Sequence, residues 1–167
     1  MLALAILILG LVSRVFVHMP NFTPVIALAL FGGATLDRRT AVVLPVVIMA
    51  LTDLVLGLHA TMPFTWGSVM LIAVLGLRLR QRANFKNVAL FSIASAVLFF
   101  LITNLGCWLT MYPRNLAGLE ACFVAALPFL RSTLVSTLMY SAVFFGGYEM
   151  AAAKIQKTRW AKILLSA

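Results

Sequence analysis

The chain has 167 residues, of which 63% are hydrophobic and only 10% are charged, and its formal net charge is +9. A soluble domain is about half apolar and about a quarter charged, so this composition excludes an ordinary soluble protein and indicates an integral membrane protein. The length suits one compact bundle. The excess of Lys and Arg does not indicate nucleic-acid binding, because it falls in short loops and a tail beside hydrophobic segments.

Hydrophobic segments and the breaks between them predict an all-α transmembrane bundle of six helices. A spanning helix needs about 20 apolar residues. The predicted helices cover residues 1–17, 24–36, 40–58, 64–77, 87–108 and 121–153. We therefore expect a single transmembrane domain over residues 1–153 and a basic amphipathic cytoplasmic tail over residues 154–167, lying on the membrane surface.

Three of these segments carry further expectations. Residues 1–17 lack a basic leading region and a small-residue cleavage site, which favours a retained helix over a signal peptide. The second segment is barely long enough to span, and Gly32 and Gly33 lie near its end. The sixth is too long for one straight span, so we expect a short interfacial piece before Pro128 and the spanning helix after it.

The distribution of basic residues predicts the orientation of the bundle. Ten of the thirteen Lys and Arg residues fall in three clusters, and an even number of predicted crossings separates each cluster from the next. The clusters are Arg38 and Arg39; Arg78, Arg80, Arg82 and Lys86; and Lys154, Lys157, Arg159 and Lys162. Cytoplasmic loops carry excess Lys and Arg, so we expect both termini in the cytoplasm of a multi-pass protein of the bacterial inner membrane.

Ionisable residues in or beside apolar segments are the candidates for a site on the external side. An ionisable side chain at the bilayer centre costs about 2.5–3.5 kcal/mol on insertion scales and usually faces the bundle interior. Asp53 lies near the external end of the third helix, where the helix dipole disfavours an anion. His18, His59 and Arg131 are predicted near the same external face, and Trp66 is expected to line an apolar mouth above Asp53.

Each of these residues also has a structural interpretation. Arg131 can snorkel to the membrane surface, a loop histidine can simply be solvated, and Trp66 can belong to an aromatic belt. Asp53 shares a helix face with Gly57, but it converges with His59 only if the helix ends near Gly57.

A cluster of small residues in the second helix has two interpretations. The cluster consists of Ala29, Gly32, Gly33 and Ala34. Small residues spaced four apart let helices approach closely. They serve either internal packing or docking to a partner membrane subunit.

The sequence lacks the motifs of the common hydrolases and redox enzymes. It contains no phosphate-binding Gly-Lys-Ser/Thr loop, no Gly-x-Ser-x-Gly, no His-Glu-x-x-His and no Cys-x-x-Cys. We expect a binding protein rather than an enzyme, without cofactor or metal.

Several stretches resemble the S components of energy-coupling-factor (ECF) vitamin transporters, which are small six-helix membrane proteins that bind substrate externally. One is the small-residue turn at 31–34, followed by a helix ending in Asp-Leu-x-x-Gly at 53–57; the other is Pro128-Phe129 near the start of the last helix. Residues 20–34 also resemble a group of uncharacterised bacterial membrane proteins regarded as transport proteins of this class. The resemblance implies capture of a small nutrient, and partnership with an energising membrane subunit and two separate ATPases.

The resemblance also suggests roles for particular residues. Solitary cobalamin S components use a His after helix one, an Asp in the third helix and an Arg in the last, and His18, Asp53 and Arg131 match that order. Those proteins also carry a cobalt-binding Cys after the Asp, whereas residues 59–66 contain none. Nickel and cobalt S components depend on an N-terminal His, and this chain begins Met1-Leu2. The identity of the nutrient therefore stays open.

The sequence thus favours an S-component-like protein that binds a small, vitamin-like nutrient with His18, Asp53, His59, Trp66 and Arg131. Two alternatives remain. The first is a structural or accessory membrane protein in which Asp53 and Arg131 form a buried pair. The second is a membrane enzyme with a metal held by the two histidines and Asp53.

Overall fold

The computed structural model describes residues 1–16, 22–158 and 160–165, and the side chains at 10–16, 55, 56 and 162 lie outside that description. Every regular element in this part of the chain is helical. The main helices are α1 (Leu2–Phe16), α2 (Val25–Thr35), α3 (Arg38–Leu56), α4 (Met62–Leu79), α5 (Phe85–Met111) and α6 (Leu116–Ile155). A 3₁₀ turn at Arg80–Arg82 follows α4, and α7 (Ala161–Leu164) is a single turn. The predicted all-α class with six main helices is confirmed.

Three of the described helices are long and apolar enough to cross a membrane, namely Met62–Arg82, Phe85–Met111 and Leu116–Ile155.

The second helix is shorter than predicted. At 11 residues, α2 is about 16 Å long, roughly half the thickness of a hydrocarbon core of about 30 Å. By length and composition, three helices could therefore cross a membrane, and α2 is a short element packed among the main helices.

The last helix differs from its prediction. We expected a break before Pro128, but α6 continues through it for 40 residues and begins at Leu116 rather than near Ala121. A proline removes one backbone bond, and the remaining bonds of so long a helix hold it together. The early start has a local cause, because the side chain of Asn115 caps the helix by accepting a hydrogen bond from the Gly118 amide at 2.8 Å.

The short helix α2 forms the centre of the bundle. Its whole run from Val25 to Ala34 is buried, and it packs against α1, α3, α4, α5 and α6. Because this run contains no polar side chain, no face of the helix favours water or a polar partner. Phe31 anchors one side of the core, with its ring centroid 5.2 Å from that of Phe145 and 5.7 Å from that of Tyr148.

The burial of α2 changes the interpretation of the small-residue cluster. Ala29, Gly32, Gly33 and Ala34 all lie inside the core, and Ala29 is fully inaccessible. A surface that docks a partner must be accessible, so the predicted docking role does not fit these residues. Internal packing, the other interpretation, describes what they do.

Two glycines bring α2 and α4 into backbone contact. A Cβ atom placed on Gly76 would collide with the Leu30 carbonyl oxygen and would lie 2.8 Å from the Gly33 Cα. A Cβ on Gly33 would in turn collide with the Ala73 carbonyl oxygen. The two helices therefore touch without intervening side chains.

The longest helices, α5 and α6, pack antiparallel along a stripe of small and hydroxyl-bearing residues. The Cys122 thiol lies 3.5 Å from the Asn104 carbonyl oxygen, and the rings of Phe100 and Phe123 are 5.7 Å apart. Toward the other end of these helices, four hydroxyls are buried without a hydrogen-bond partner in the described part of the chain. They belong to Ser92, Ser95, Thr137 and Ser141.

The turn between α2 and α3 meets the end of α4, and we call this end of the bundle the basic end. The Arg80 guanidinium donates a hydrogen bond to the Ala34 carbonyl at 3.3 Å. The Asp37 carboxylate caps α3 by accepting from the Thr40 amide at 3.1 Å. Hydrogen bonds from Thr40, with a smaller contribution from the Arg80 charge, hold the pKa of Asp37 below its usual value.

The glycine contact yields a matched pair of substitutions on one helix. We expect Gly76→Ala to destabilise the protein by about 1–3 kcal/mol, because its methyl group meets rigid backbone. Gly67→Ala on the same helix meets nothing within 4 Å and should be neutral or stabilising by up to about 1 kcal/mol. Thermal unfolding in detergent measures the difference, and equal melting temperatures would contradict the close packing of α2 on α4.

Candidate functional site

Asp53 is a buried carboxylate near the end of α3. Its exposed fraction is 3%. The helix stops at Leu56, and Gly57 follows with a φ of 110°, a left-handed conformation that favours glycine. The Gly57 amide donates to the Asp53 carbonyl at 2.9 Å and so closes the last turn. The carboxylate therefore lies at the helix end where the dipole disfavours negative charge, which makes compensating contacts necessary.

Trp66 supplies one such contact from the neighbouring helix. Its indole Nε1 donates a hydrogen bond to the Asp53 Oδ2 at 2.8 Å. A bond to an ionised acceptor is about twice as strong as one between neutral groups. Trp66 is positioned by the start of α4 at Met62, where Pro63 occupies the first turn. The bond thus joins the end of α3 to the beginning of α4.

The hydroxyls around this pair bond to their own helices. The Thr65 hydroxyl donates to the Thr61 carbonyl at 3.2 Å, and the Ser68 hydroxyl donates to the Thr65 carbonyl at 2.7 Å. The Thr52 hydroxyl donates to the Ile48 carbonyl at 2.9 Å. These bonds stay within one helix, whereas the bond between the Asp53 carboxylate and the Trp66 indole joins α3 to α4.

An aromatic side chain near the start of α4 packs against α5. A Cβ on Gly106 would lie 2.5 Å from the Phe64 ring, so this ring packs directly on the α5 backbone. Phe64 precedes Trp66 by two residues in the first turns of α4. This contact holds the first turns of α4 on α5, and Trp66 projects from the same turns toward α3.

The structure brings together two of the five predicted site residues. Asp53 and Trp66 are bonded, whereas His59 lies exposed in the turn between α3 and α4. Arg131 is exposed on α6, so it does not line an enclosed pocket with the buried Asp53. The buried Asp53–Arg131 pair of the accessory interpretation does not fit this exposure either. His18 lies outside the described residues.

The described residues offer no metal centre. No group of three His, Cys, Asp or Glu side chains among them could hold a metal ion. The two cysteines are free, Cys122 being buried and Cys107 half-buried.

The Asp53–Trp66 bond itself was not predicted, although the sequence contains a signal for it. Asp53 lies three residues before the end of α3 and Trp66 lies four residues after the start of α4, so the two are almost equally distant from the connection. In an antiparallel helix pair joined by a short loop, residues equidistant from the loop lie level with each other. A buried Asp level with a Trp on the next helix is a candidate hydrogen-bonded pair.

Comparison with known proteins identifies the family of the chain but not its activity. Residues 1–159 match DUF6580, a family of unknown function, and the chain belongs to that family. No curated protein matches the chain, and no solved structure does.

The bond between Asp53 and Trp66 can be tested against a second tryptophan. We expect Trp66→Phe to lower the free energy of unfolding by about 1.5–3 kcal/mol, because the buried carboxylate loses a donor. In Trp108→Phe the lost bond is an exposed one to the Pro113 carbonyl, and we expect a loss of about 1 kcal/mol or less. Detergent unfolding monitored by circular dichroism measures both, and equal losses would argue against a stabilising role of the buried bond.

Proposed function

We propose that this member of the DUF6580 family is a membrane substrate-binding protein that captures a small, vitamin-like nutrient on the external side of the bacterial inner membrane. The observation that carries the proposal is the carboxylate of Asp53, buried to 3% exposure and bonded by the Trp66 indole between two helix ends. A charge in such a place is costly and is typically retained for function.

The orientation of the site in the membrane supports external capture. The Arg80 side chain contacts the α2–α3 turn, whereas Asp53 and Trp66 lie beside the α3–α4 connection at the other end of these helices. Because basic clusters favour the cytoplasmic side, we assign the basic end to the cytoplasm. In this topology the main helices form a six-helix bundle with both termini inside, and Asp53 and Trp66 lie toward the outside.

The chemistry of the pair indicates a ligand class. An ionised carboxylate is an acceptor only, so it recognises a cationic group or hydrogen-bond donors. The indole ring of Trp66 supplies apolar contact area beside this carboxylate. The mechanism that we propose is exchange, in which ligand donors replace or join the indole at Asp53. Uptake would then require an energising membrane subunit with two ATPases, as the resemblance to S components implies, docked on a surface other than α2.

One observation favours a second candidate function. The Trp66 bond already compensates the Asp53 charge in part, which suits a structural clamp between α3 and α4 in an accessory membrane protein without a ligand. Asp53→Asn separates the two candidates, because asparagine keeps an acceptor oxygen for the indole but loses the charge. A structural clamp tolerates this change, whereas a ligand site that needs the charge does not.

Native mass spectrometry of the detergent-purified protein, combined with thermal shifts across water-soluble vitamins and divalent metal salts, tests the proposal. For the wild type we expect a stoichiometric adduct in the native mass spectrum, or a thermal shift with one of the compounds. Asp53→Asn should remove it while leaving the apparent melting temperature of the ligand-free protein close to that of the wild type.

The matched control is Asp37→Asn, which removes the same charge from an exposed helix cap at the basic end. This variant should keep the adduct and the thermal shift. Binding that survives Asp53→Asn would remove this carboxylate from the site. The absence of any adduct or shift in the wild type would favour the structural clamp.

A further inference from the structure

Arg131 lies on the outer face of α6, away from the rest of the bundle. It is exposed, and Cys122 and Thr133, on the opposite face of the helix, are buried. Within the described part of the chain the Arg131 guanidinium has no ion-pair or hydrogen-bond partner. The only acidic residue on the same face of the helix nearby is Glu120, three turns earlier.

The surface around Arg131 is apolar. Val124, Leu127 and Val135 share its face and are exposed by 58%, 55% and 45%. Between Glu120 and Glu149 the sequence of α6 contains no other charged residue. This is the composition of a surface that faces lipid or another membrane helix, with one cation in its middle.

Arg131 lies deep in the apolar part of α6, between Glu120 and Glu149. It lies eleven residues after Glu120, which is about 16 Å along the helix axis. We take Glu120, the last charged residue before the apolar part of α6, to lie at the membrane surface, which puts Arg131 near the middle of a hydrocarbon core of about 30 Å. Intramembrane arginines are rare, almost always face a bundle interior or a water-filled cavity, and pair with a carboxylate or a carbonyl. Within the residues that the structure describes, Arg131 does neither.

We propose that the face of α6 formed by Val124, Leu127, Arg131 and Val135 docks a transmembrane helix of a different protein, and that this helix carries an Asp or Glu opposite Arg131. A carboxylate at that depth can bind the guanidinium in the two-bonded geometry that makes such pairs strong and specific. Lipid phosphates lie at the membrane surface, far from this depth. The occupant is therefore an acidic membrane helix.

A second copy of this chain does not fit the same surface. Copies inserted in one orientation and related by a twofold axis along the membrane normal would place Arg131 against Arg131 at the same depth. The nearest carboxylate on that face, Glu120, lies about 16 Å away along the helix in each copy. Like charges in a low-dielectric medium repel strongly, so charge complementarity selects a different partner.

This inference depends on α6 crossing the membrane and not on nutrient binding at Asp53, so the two proposals can fail separately. The test uses purified full-length protein labelled with a donor fluorophore and reconstituted in phosphatidylcholine vesicles at pH 8. The probe is a synthetic Leu/Ala helix of about 20 residues, labelled with an acceptor and carrying one central Glu, and its twin carries Gln instead. We expect the Glu helix to associate about tenfold more tightly than the Gln helix.

The variants assign that preference to the arginine. Arg131→Leu should abolish it, and Arg131→Lys should retain part of it, because the charge remains without the planar two-bonded geometry. Arg114→Leu, which removes an exposed arginine outside α6, should keep the full preference. Equal association of the two helices with the wild type, or a preference that survives Arg131→Leu, would overturn the proposal. Energy transfer between wild-type copies that is lost in Arg131→Leu would also overturn it in favour of self-association.

Discussion

The backbone contact between Gly33 and Gly76 is the constraint on which the rest of the helix arrangement depends. Because neither residue has a side chain, α2 and α4 meet closely enough for the Arg80 guanidinium to reach the Ala34 carbonyl. The other main helices then surround α2, whose apolar sequence leaves no face for water. The contact also fixes the opposite part of α4, where Trp66 lies about 15 Å away along the helix. The geometry at Asp53 therefore depends on two glycines that never touch it.

Four ionisable side chains of the bundle lie in three different environments. Asp37 and Arg80 occupy the basic end, where solvent and a helix cap stabilise them. Asp53 is buried and bonded across helices. Arg131 lies on an exposed apolar face. Only the last two combine a full charge with an apolar environment, which is why one supports a ligand site and the other supports a partner surface. Because they lie on different sides of the molecule, capture of a ligand and association with a partner need not compete for space.

Much of the architecture could be predicted from the sequence, because apolar runs, prolines and basic clusters divide the chain where the helices begin and end. The six main helices, the buried Asp53 and the proximity of Trp66 follow from these local features. The burial of α2 could not be predicted from the sequence. Small residues allow close packing, but they do not specify whether the neighbouring helix belongs to the same bundle or to a partner subunit. The early start of α6 depends on the cap at Asn115, and its continuity through Pro128 depends on the backbone bonds of a long helix on both sides of the proline. The outward direction of Arg131 depends on which stripe of α6 meets α5, which only tertiary packing decides.

Two parts of the bundle, the α2–α4 contact and the packing of α5 and α6, differ in how easily they can rearrange. Between α2 and α4, backbone lies on backbone, so any rotation produces immediate steric collision. On α5 and α6, the buried hydroxyls of Ser92, Ser95, Thr137 and Ser141 have no hydrogen-bond partner among the described residues. A hydroxyl can rotate to meet a new partner, because it both donates and accepts. The molecule therefore combines a rigid contact between α2 and α4, the helix that carries Trp66, with more adaptable packing along α5 and α6, the helix that carries Arg131. A helix displacement that accompanies function would therefore involve α5 and α6, while the contact of Gly33 with Gly76 stays in place.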